Sequence, residues 1–167
     1  HRKEWNGILP DSLKESIYCY YLANVVRDLR GHVAKPRSML INMSRFVKVQ
    51  SVIKEYVDEI QDNFIRTIKY NFDEDGSKNV HLSLFQELKQ LWDKHFNNVT
   101  DINFADIVKK ENLLGAVYDI ERDIPKMNII VVNGSSASKL DYKSNPSLRV
   151  IAIGGLALSR GLTLEGL

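Results

Sequence analysis

The chain has 167 residues, of which 44% are hydrophobic and 26% are charged, and its formal net charge is +2 at pH 7. This profile is typical of a soluble globular protein, and the length predicts a single domain, 1–167, with a core of its own. No stretch approaches the ~20 apolar residues of a membrane span, and the lone Cys19 excludes an internal disulfide. A small net charge does not decide for or against nucleic acid, because local patches govern that binding. We expect a cytoplasmic location.

The first predicted element is a helix that follows Pro10. Ser12 and Glu15 have the spacing of a capping box, and apolar residues then recur at every fourth position. Gly31 is predicted to end this helix, because glycine readily adopts the left-handed conformation found at helix C-termini. The next segment, SMLINM (38–43), has the length and apolar character of a strand.

A long helical region follows this strand. Ser44 is predicted as the N-cap of an amphipathic helix whose apolar positions run from Phe46 to Phe64. A polar break then precedes three further helical segments, predicted over 84–96, 103–110 and 112–122. We interpret residues 70–122 as a helical insertion in the fold.

Two more apolar runs close the sequence. MNIIVVNG (127–134) and LRVIAIGG (148–155) are continuous apolar segments of strand length. Such runs are typical of strands that are buried on both faces of a parallel sheet. Together with the first strand and the helices, they predict an α/β fold.

The candidate functional residues follow the three predicted strands. In a parallel α/β sheet, the carboxyl ends of the strands line the ligand crevice. Here they carry small, hydrogen-bonding or cationic residues, which suit phosphate oxygens: Ser44, Arg45, Asn133, Gly134, Ser135, Ser136, Gly154, Gly155, Ser159, Arg160 and Gly161. An ordinary turn with a capping serine is the alternative for each loop taken alone. Three such loops in one crevice favour a phosphate-rich ligand.

Several other kinds of site are not predicted. The sequence has neither the GxxxxGK[ST] loop of P-loop enzymes nor the GxSxG turn of serine hydrolases. Its four histidines have no metal-ligand spacing, so no metal site is assigned. The acidic loop FDEDG (72–76) lacks the ligand pattern of an EF-hand and is interpreted as a solvated loop.

The closing stretch VIAIGGLALSRGLTLEGL (150–167) resembles motif V of superfamily-two helicases. The whole set of segments, with LPDSLKES, RSMLINMSR and IIVVNGSSASKLDY, is similar to the Z-one domain family. Members of that family are labelled endonucleases and occur beside an upstream P-loop ATPase region in prokaryotic restriction and defence proteins. The resemblance implies a partial second RecA-like lobe of a helicase-type P-loop enzyme.

The resemblance also implies roles for particular residues. Gly154, Gly155 and Ser159 would lie near the nucleic-acid backbone or the cleft between the lobes. Arg160 and Gly161 occupy the Arg-Gly positions of motif V and would couple nucleic-acid binding to ATP hydrolysis. Thr163 stands where the motif commonly has an Asp, so it offers the nucleotide a hydroxyl without a charge.

The expected partners are a DNA or RNA backbone and an upstream ATPase lobe of the same protein. ATP and Mg²⁺ are implied for the intact protein, whereas this chain holds no cofactor of its own. Because the chain begins without Met and its last motif precedes the place of an arginine finger, we expect a fragment that is inactive alone. Two alternatives remain: a non-catalytic helical interaction module that docks a partner through aromatics such as Trp92, or part of an endonuclease, for which these residues offer no active-site constellation.

Overall fold

The computed structural model describes residues 7–43, 46–132, 140–155 and 164–166. The first helix, α1, spans Asp11–Leu29 and begins after Pro10, whose backbone is extended. The predicted capping box at Ser12 is wrong, since no side chain caps this helix and Ser12 lies inside its first turn. The proline, with its fixed φ, starts the helix instead.

The end of α1 was predicted correctly at Gly31. This glycine has a φ of 77°, and its N–H donates to the carbonyl of Asp28 at 2.9 Å. The N–H of His32 donates to the carbonyl of Arg27, also at 2.9 Å. This pair of hydrogen bonds is a Schellman motif, which a residue with a Cβ would strain.

Three parallel strands form the main sheet: β1 (Arg37–Asn42), β4 (Met127–Val132) and β5 (Arg149–Gly154). Their spatial order is β1-β5-β4, so the last strand in the chain occupies the centre. The three predicted strands and the α/β class are thereby confirmed. All six residues of β5 are buried, as the continuous apolar run indicates for a central strand.

The two faces of the sheet differ in what covers them. The side chains of Ile41, Ile151 and Ile153 belong to the main core, together with residues of α1 and of α2 (Val47–Asn71). We call this the helix face. The neighbouring residues in each strand, among them Val150, point to the opposite face because side chains alternate along a strand.

The segment between α2 and β4 is mostly helical. It contains a 3₁₀ turn and three helices, followed by a two-stranded antiparallel ribbon: Gly76–Asn79, α3 (Ser83–His95), α4 (Phe104–Ile107), α5 (Lys110–Gly115), β2 (Tyr118–Asp119) and β3 (Ile124–Pro125). The helix predicted over 112–122 is therefore wrong beyond Gly115. The Asp119 carboxylate accepts hydrogen bonds from two backbone N–H groups that follow it, and Asp123 has a φ of 57°. These two features make residues 119–123 a turn, whereas a helix would need right-handed α backbone angles at each of these residues.

The aromatic residues of this segment pack inward. Trp92 is buried, stacks on Phe96 with ring centroids 5.1 Å apart, and also contacts Phe104. Cys19 is half-buried against the same core, and burial raises the pKa of its thiol. Trp92 is thus a core residue rather than a surface for docking a partner. None of the helices in the described part of the chain has the length and apolar character needed to cross a bilayer.

Candidate functional site

The three parallel strands end together at one edge of the sheet, which we call the carboxyl edge. Asn42 of β1 and Val132 of β4 both pair in register with Gly154 of β5. Neighbouring strands are ~4.8 Å apart, so the three points at which the chain leaves the sheet lie within about 10 Å. The segments that follow β1, β5 and β4 therefore start side by side, with the glycine end of β5 in the middle.

The chain leaves this edge toward opposite faces of the sheet. After β1 it continues into α2, which packs on the helix face. After β4 it returns through residues 140–148, where the Tyr142 hydroxyl lies 2.8 Å from the Ser38 hydroxyl on the opposite face. Crossover connections between parallel strands are right-handed. The connection from β1 to β4 and the connection from β4 to β5 run in opposite directions across the sheet, so they pass over opposite faces. In open parallel sheets, ligands bind at the edge where the connections diverge in this way.

The surface around the end of β1 is exposed and carries little negative charge. The side chains of Met43, Phe46 and Val47 are exposed, and so is that of Lys48. Phe46 is the N-cap residue of α2, so the predicted N-cap at Ser44 is wrong, and the first turn of that helix contains no acidic residue. The positive end of the helix dipole therefore reaches this edge without a neutralising carboxylate in its first turn.

A buried charge network occupies the opposite, amino edge of the sheet. Arg37 and Arg149, the first residues of β1 and β5, are register partners and share the carboxylate of Asp28. Arg149 binds both Asp28 oxygens, at 2.7 and 3.0 Å, and also donates to the carbonyl of Ala116. Arg37 donates to Asn24 and to the carbonyl of His32. The network ties the end of α1 to the starts of two strands.

Among the described residues this network carries one positive charge in excess, because two guanidinium groups share one carboxylate. Burial lowers the pKa of Arg37, while its hydrogen bond to Asp28 opposes that change. Beside it lies an open polar cavity of about 720 Å³, lined by Asp28 and Arg149 and by residues of α5 and of the ribbon. This network was not predicted from the sequence, although an arginine stands at the start of two apolar runs: Arg37 directly precedes SMLINM, and Arg149 is the second residue of LRVIAIGG.

Comparison with known families assigns the chain. The model of the Z1 domain, the Z-one domain of the sequence analysis, matches residues 12–167, nearly the whole sequence. The chain belongs to the Z1 domain family. No curated protein and no solved structure matches it.

Within this Z1 domain, the structure describes two of the predicted site residues, Gly154 and Gly155. Both are buried at the carboxyl edge, where β5 ends. The other predicted positions lie outside the described residues: Ser44, Arg45, Asn133, Gly134, Ser135, Ser136, Ser159, Arg160, Gly161 and Thr163. The predicted meeting of three strand ends is confirmed, and the roles of the side chains that follow them stay predictions.

The described part of the Z1 domain offers no cluster of three or more His, Cys, Asp or Glu residues that could hold a metal ion. At the carboxyl edge, the three strands end in Asn42, Val132 and Gly154, none of which is a carboxylate. Mg²⁺ prefers carboxylate and phosphate oxygens, so these strand ends do not fit a magnesium ion.

A second polar cluster in the Z1 domain lies on the ribbon. Lys69 of α2 donates to the Asp123 carboxylate at 3.0 Å and to the Tyr118 hydroxyl at 3.3 Å, and Tyr118 also donates to Asp123. The hydrogen bonds from Tyr118 and Lys69 lower the pKa of Asp123, and the bond to Asp123 raises that of Lys69. The cluster fixes the ribbon against α2 and holds Asp123 in its left-handed conformation.

Proposed function

We propose that this Z1 domain is the second RecA-like lobe of a helicase-like, nucleic-acid-dependent ATPase of restriction or defence type. Its carboxyl edge would contact the nucleic-acid backbone and couple that contact to ATP hydrolysis. The observation that carries the proposal is the in-register ending of three parallel strands, with Gly154 and Gly155 between the other two exits. From strand ends this close together, the residues that follow would reach one ligand.

The chemistry of these following residues suits phosphate rather than a base edge. Arg45 and Arg160 supply guanidinium groups, which bind phosphate oxygens with two parallel hydrogen bonds. Ser135, Ser136 and Ser159 supply hydroxyl donors. Contacts of this type hold a nucleic-acid strand in place without reading its sequence. The proposed lobe therefore binds DNA or RNA with little sequence preference.

ATP would be bound between this domain and a preceding lobe. Phosphoryl transfer needs a phosphate-cradling loop and a carboxylate on Mg²⁺, and the preceding lobe would supply both. This domain would contribute Arg160 and the neighbouring Gly161. These residues would contact the nucleic acid and face the nucleotide in the cleft. It should accordingly show no ATP hydrolysis by itself.

The first test measures binding of the 167-residue chain to fluorescently labelled single-stranded DNA and RNA. Fluorescence anisotropy gives the affinity at a series of salt concentrations. We expect salt-dependent binding that Arg160→Ala weakens about tenfold, the effect of one charge-assisted hydrogen bond of about 1.5 kcal/mol. The slope of log affinity against log salt should fall by about 1. The matched control is Arg122→Ala, since Arg122 is exposed beside the cavity at the amino edge. Equal effects of the two variants contradict the proposal.

A second measurement uses a longer protein that joins this domain to an ATPase lobe. Arg160→Ala should lower the nucleic-acid-stimulated ATP turnover and leave the melting temperature unchanged. Stimulation that survives the substitution contradicts the coupling role of Arg160. Cleavage of DNA in the presence of Mg²⁺ is measured in parallel, and cleavage by the 167-residue chain would favour the endonuclease alternative.

A further inference from the structure

The open cavity at the amino edge has two cationic groups fixed in its wall. Nη1 of Arg149 donates to the carbonyl of Ala116 at 2.6 Å, and Nζ of Lys126 donates to the carbonyl of Gly115 at 2.8 Å. Gly115 and Ala116 are consecutive residues at the end of α5, and consecutive Cα atoms are ~3.8 Å apart. The guanidinium and the ammonium therefore lie close together, and Arg149 and Lys126 both line the cavity.

The Arg149 side chain reaches the cavity with one edge of its guanidinium unused. It is 6% exposed, and its Nη1 and Nη2 bind the two oxygens of Asp28. The second N–H of Nη1 is taken by the carbonyl of Ala116. Of the five N–H groups, these bonds leave the Nε–H and one Nη2–H, which share the other edge of the planar group. Such an edge binds a carboxylate or a phosphate through two parallel hydrogen bonds.

The charges around this edge favour a negatively charged ligand. Among the described residues, Arg37 and Arg149 share the single carboxylate of Asp28. Lys126 adds another positive charge at the cavity wall, where its partner is a backbone carbonyl and not a carboxylate. Buried charges are stable when they are paired. An anion bound to Arg149 would balance the excess positive charge of the network.

The rest of the cavity wall restricts the kind of anion. The volume of about 720 Å³ lies in the range of small-molecule sites. Two further carboxylates, those of Glu111 and Asp119, also line the cavity. They repel a ligand that is negatively charged over its whole length, but they accept hydrogen bonds from hydroxyl or amino groups. The wall therefore suits a ligand with one anionic group and a body that carries hydrogen-bond donors.

We propose that the amino-edge cavity binds a small organic anion, whose carboxylate or phosphate is held by Arg149 and Lys126 and whose body carries hydroxyl or amino groups. The two cations also cap the carboxyl end of α5, and this contact holds their donors in place for the ligand. The site lies at the opposite edge of the sheet from the proposed nucleic-acid contact and does not depend on it.

The experiment is isothermal titration calorimetry of the 167-residue chain with three matched probes: ribose 5-phosphate, ribonate and ribose. The buffer contains neither phosphate nor carboxylate. We expect saturable one-to-one binding of an anionic probe and no binding of ribose. Tighter binding of ribose 5-phosphate assigns a phosphate ligand, and tighter binding of ribonate assigns a carboxylate. The proposal is overturned if neither anion binds saturably, or if ribose binds as well as the anions.

A charge-removing variant locates the bound anion. Lys126→Gln keeps a donor for the Gly115 carbonyl but loses the positive charge. We expect it to weaken anion binding about tenfold, the effect of one charge-assisted hydrogen bond, and to leave the melting temperature of the free chain nearly unchanged. The matched control is Lys54→Gln, because Lys54 pairs with Asp58 on α2, which does not line the cavity. Equal affinities of the two variants overturn the site.

A second variant tests the charge argument. Asp28→Asn removes the carboxylate that competes with the ligand for Arg149, so it should tighten anion binding roughly fivefold or more. The anion should accordingly raise the melting temperature of this variant more than that of the wild-type chain, because ligands stabilise the folded state in proportion to the logarithm of their affinity. A smaller or equal rise in the variant contradicts the role of the excess charge.

Discussion

The network at the amino edge leads to a sharp prediction about stability. Asp28→Asn keeps the size of the side chain and one acceptor oxygen but removes the only negative charge that Arg37 and Arg149 share within the described structure. The two guanidinium side chains are 1% and 6% exposed, and that of Asp28 is 20% exposed. Little water therefore reaches the two guanidinium groups to replace the lost carboxylate.

The expected cost follows from this burial. Removing one partner of a buried ion pair typically costs about 3–5 kcal/mol, because a charge is left without compensation. The asparagine still accepts one hydrogen bond, so we expect the lower end, about 3 kcal/mol. For a chain of this size, 1 kcal/mol corresponds to about 2–4 °C, which gives a melting temperature lower by about 6–12 °C.

The assay is equilibrium unfolding in urea, with Asp58→Asn as the matched control. Asp58 pairs with Lys54 at 2.7 Å on the surface of α2, and its side chain is 41% exposed. Exposed pairs contribute about 0–1 kcal/mol, so the control should hardly move the midpoint. If Asp28→Asn costs no more than the control at an equal m value, the reasoning about the buried network is refuted. A double variant with Arg149→Met should cost less than the sum of the single changes, since the two residues are coupled.

Two further predictions concern other parts of the chain. Gly76→Ala should lower the free energy of unfolding by about 1–3 kcal/mol, because a Cβ at Gly76 would lie 2.7 Å from a backbone carbonyl oxygen. The control is Gly115→Ala, where the Cβ has open space, so its stability in urea should be unchanged or slightly higher. Asp123→Asn should lower stability more at pH 7 than at pH 3. The pKa of Asp123 is lowered by Tyr118 and Lys69, so its contribution is present above the unfolded carboxyl pKa of about 4 and is lost as the pH falls through the folded value. Urea midpoints that differ equally at both pH values contradict this.

The places where the sequence analysis succeeded share a physical cause. The three apolar runs became strands within two residues of their predicted bounds, and Gly31 ended α1 through its left-handed backbone. The apolar runs and the glycine act through residues that are only a few positions away in the sequence. Two of the wrong predictions, the capping box at Ser12 and the helix beyond Gly115, also have local causes. Pro10 starts α1, and the Asp119 side chain forms a turn, but both segments have the apolar spacing of a helix.

The sequence by itself determined the α/β class, the three buried strands and the small, polar or cationic residues that follow them. Only the tertiary structure decided that β5 lies between β1 and β4, and therefore that the glycine end of β5 stands at the centre of the carboxyl edge. It also decided that Arg37 and Arg149 share one carboxylate and that Gly166 returns to Ser38. Strand order and register depend on contacts between residues far apart in the chain, 112 positions for Arg37 and Arg149 and 22 for Met127 and Arg149. Local periodicity carries no information about such contacts, because any order that buries the same apolar faces satisfies it equally well.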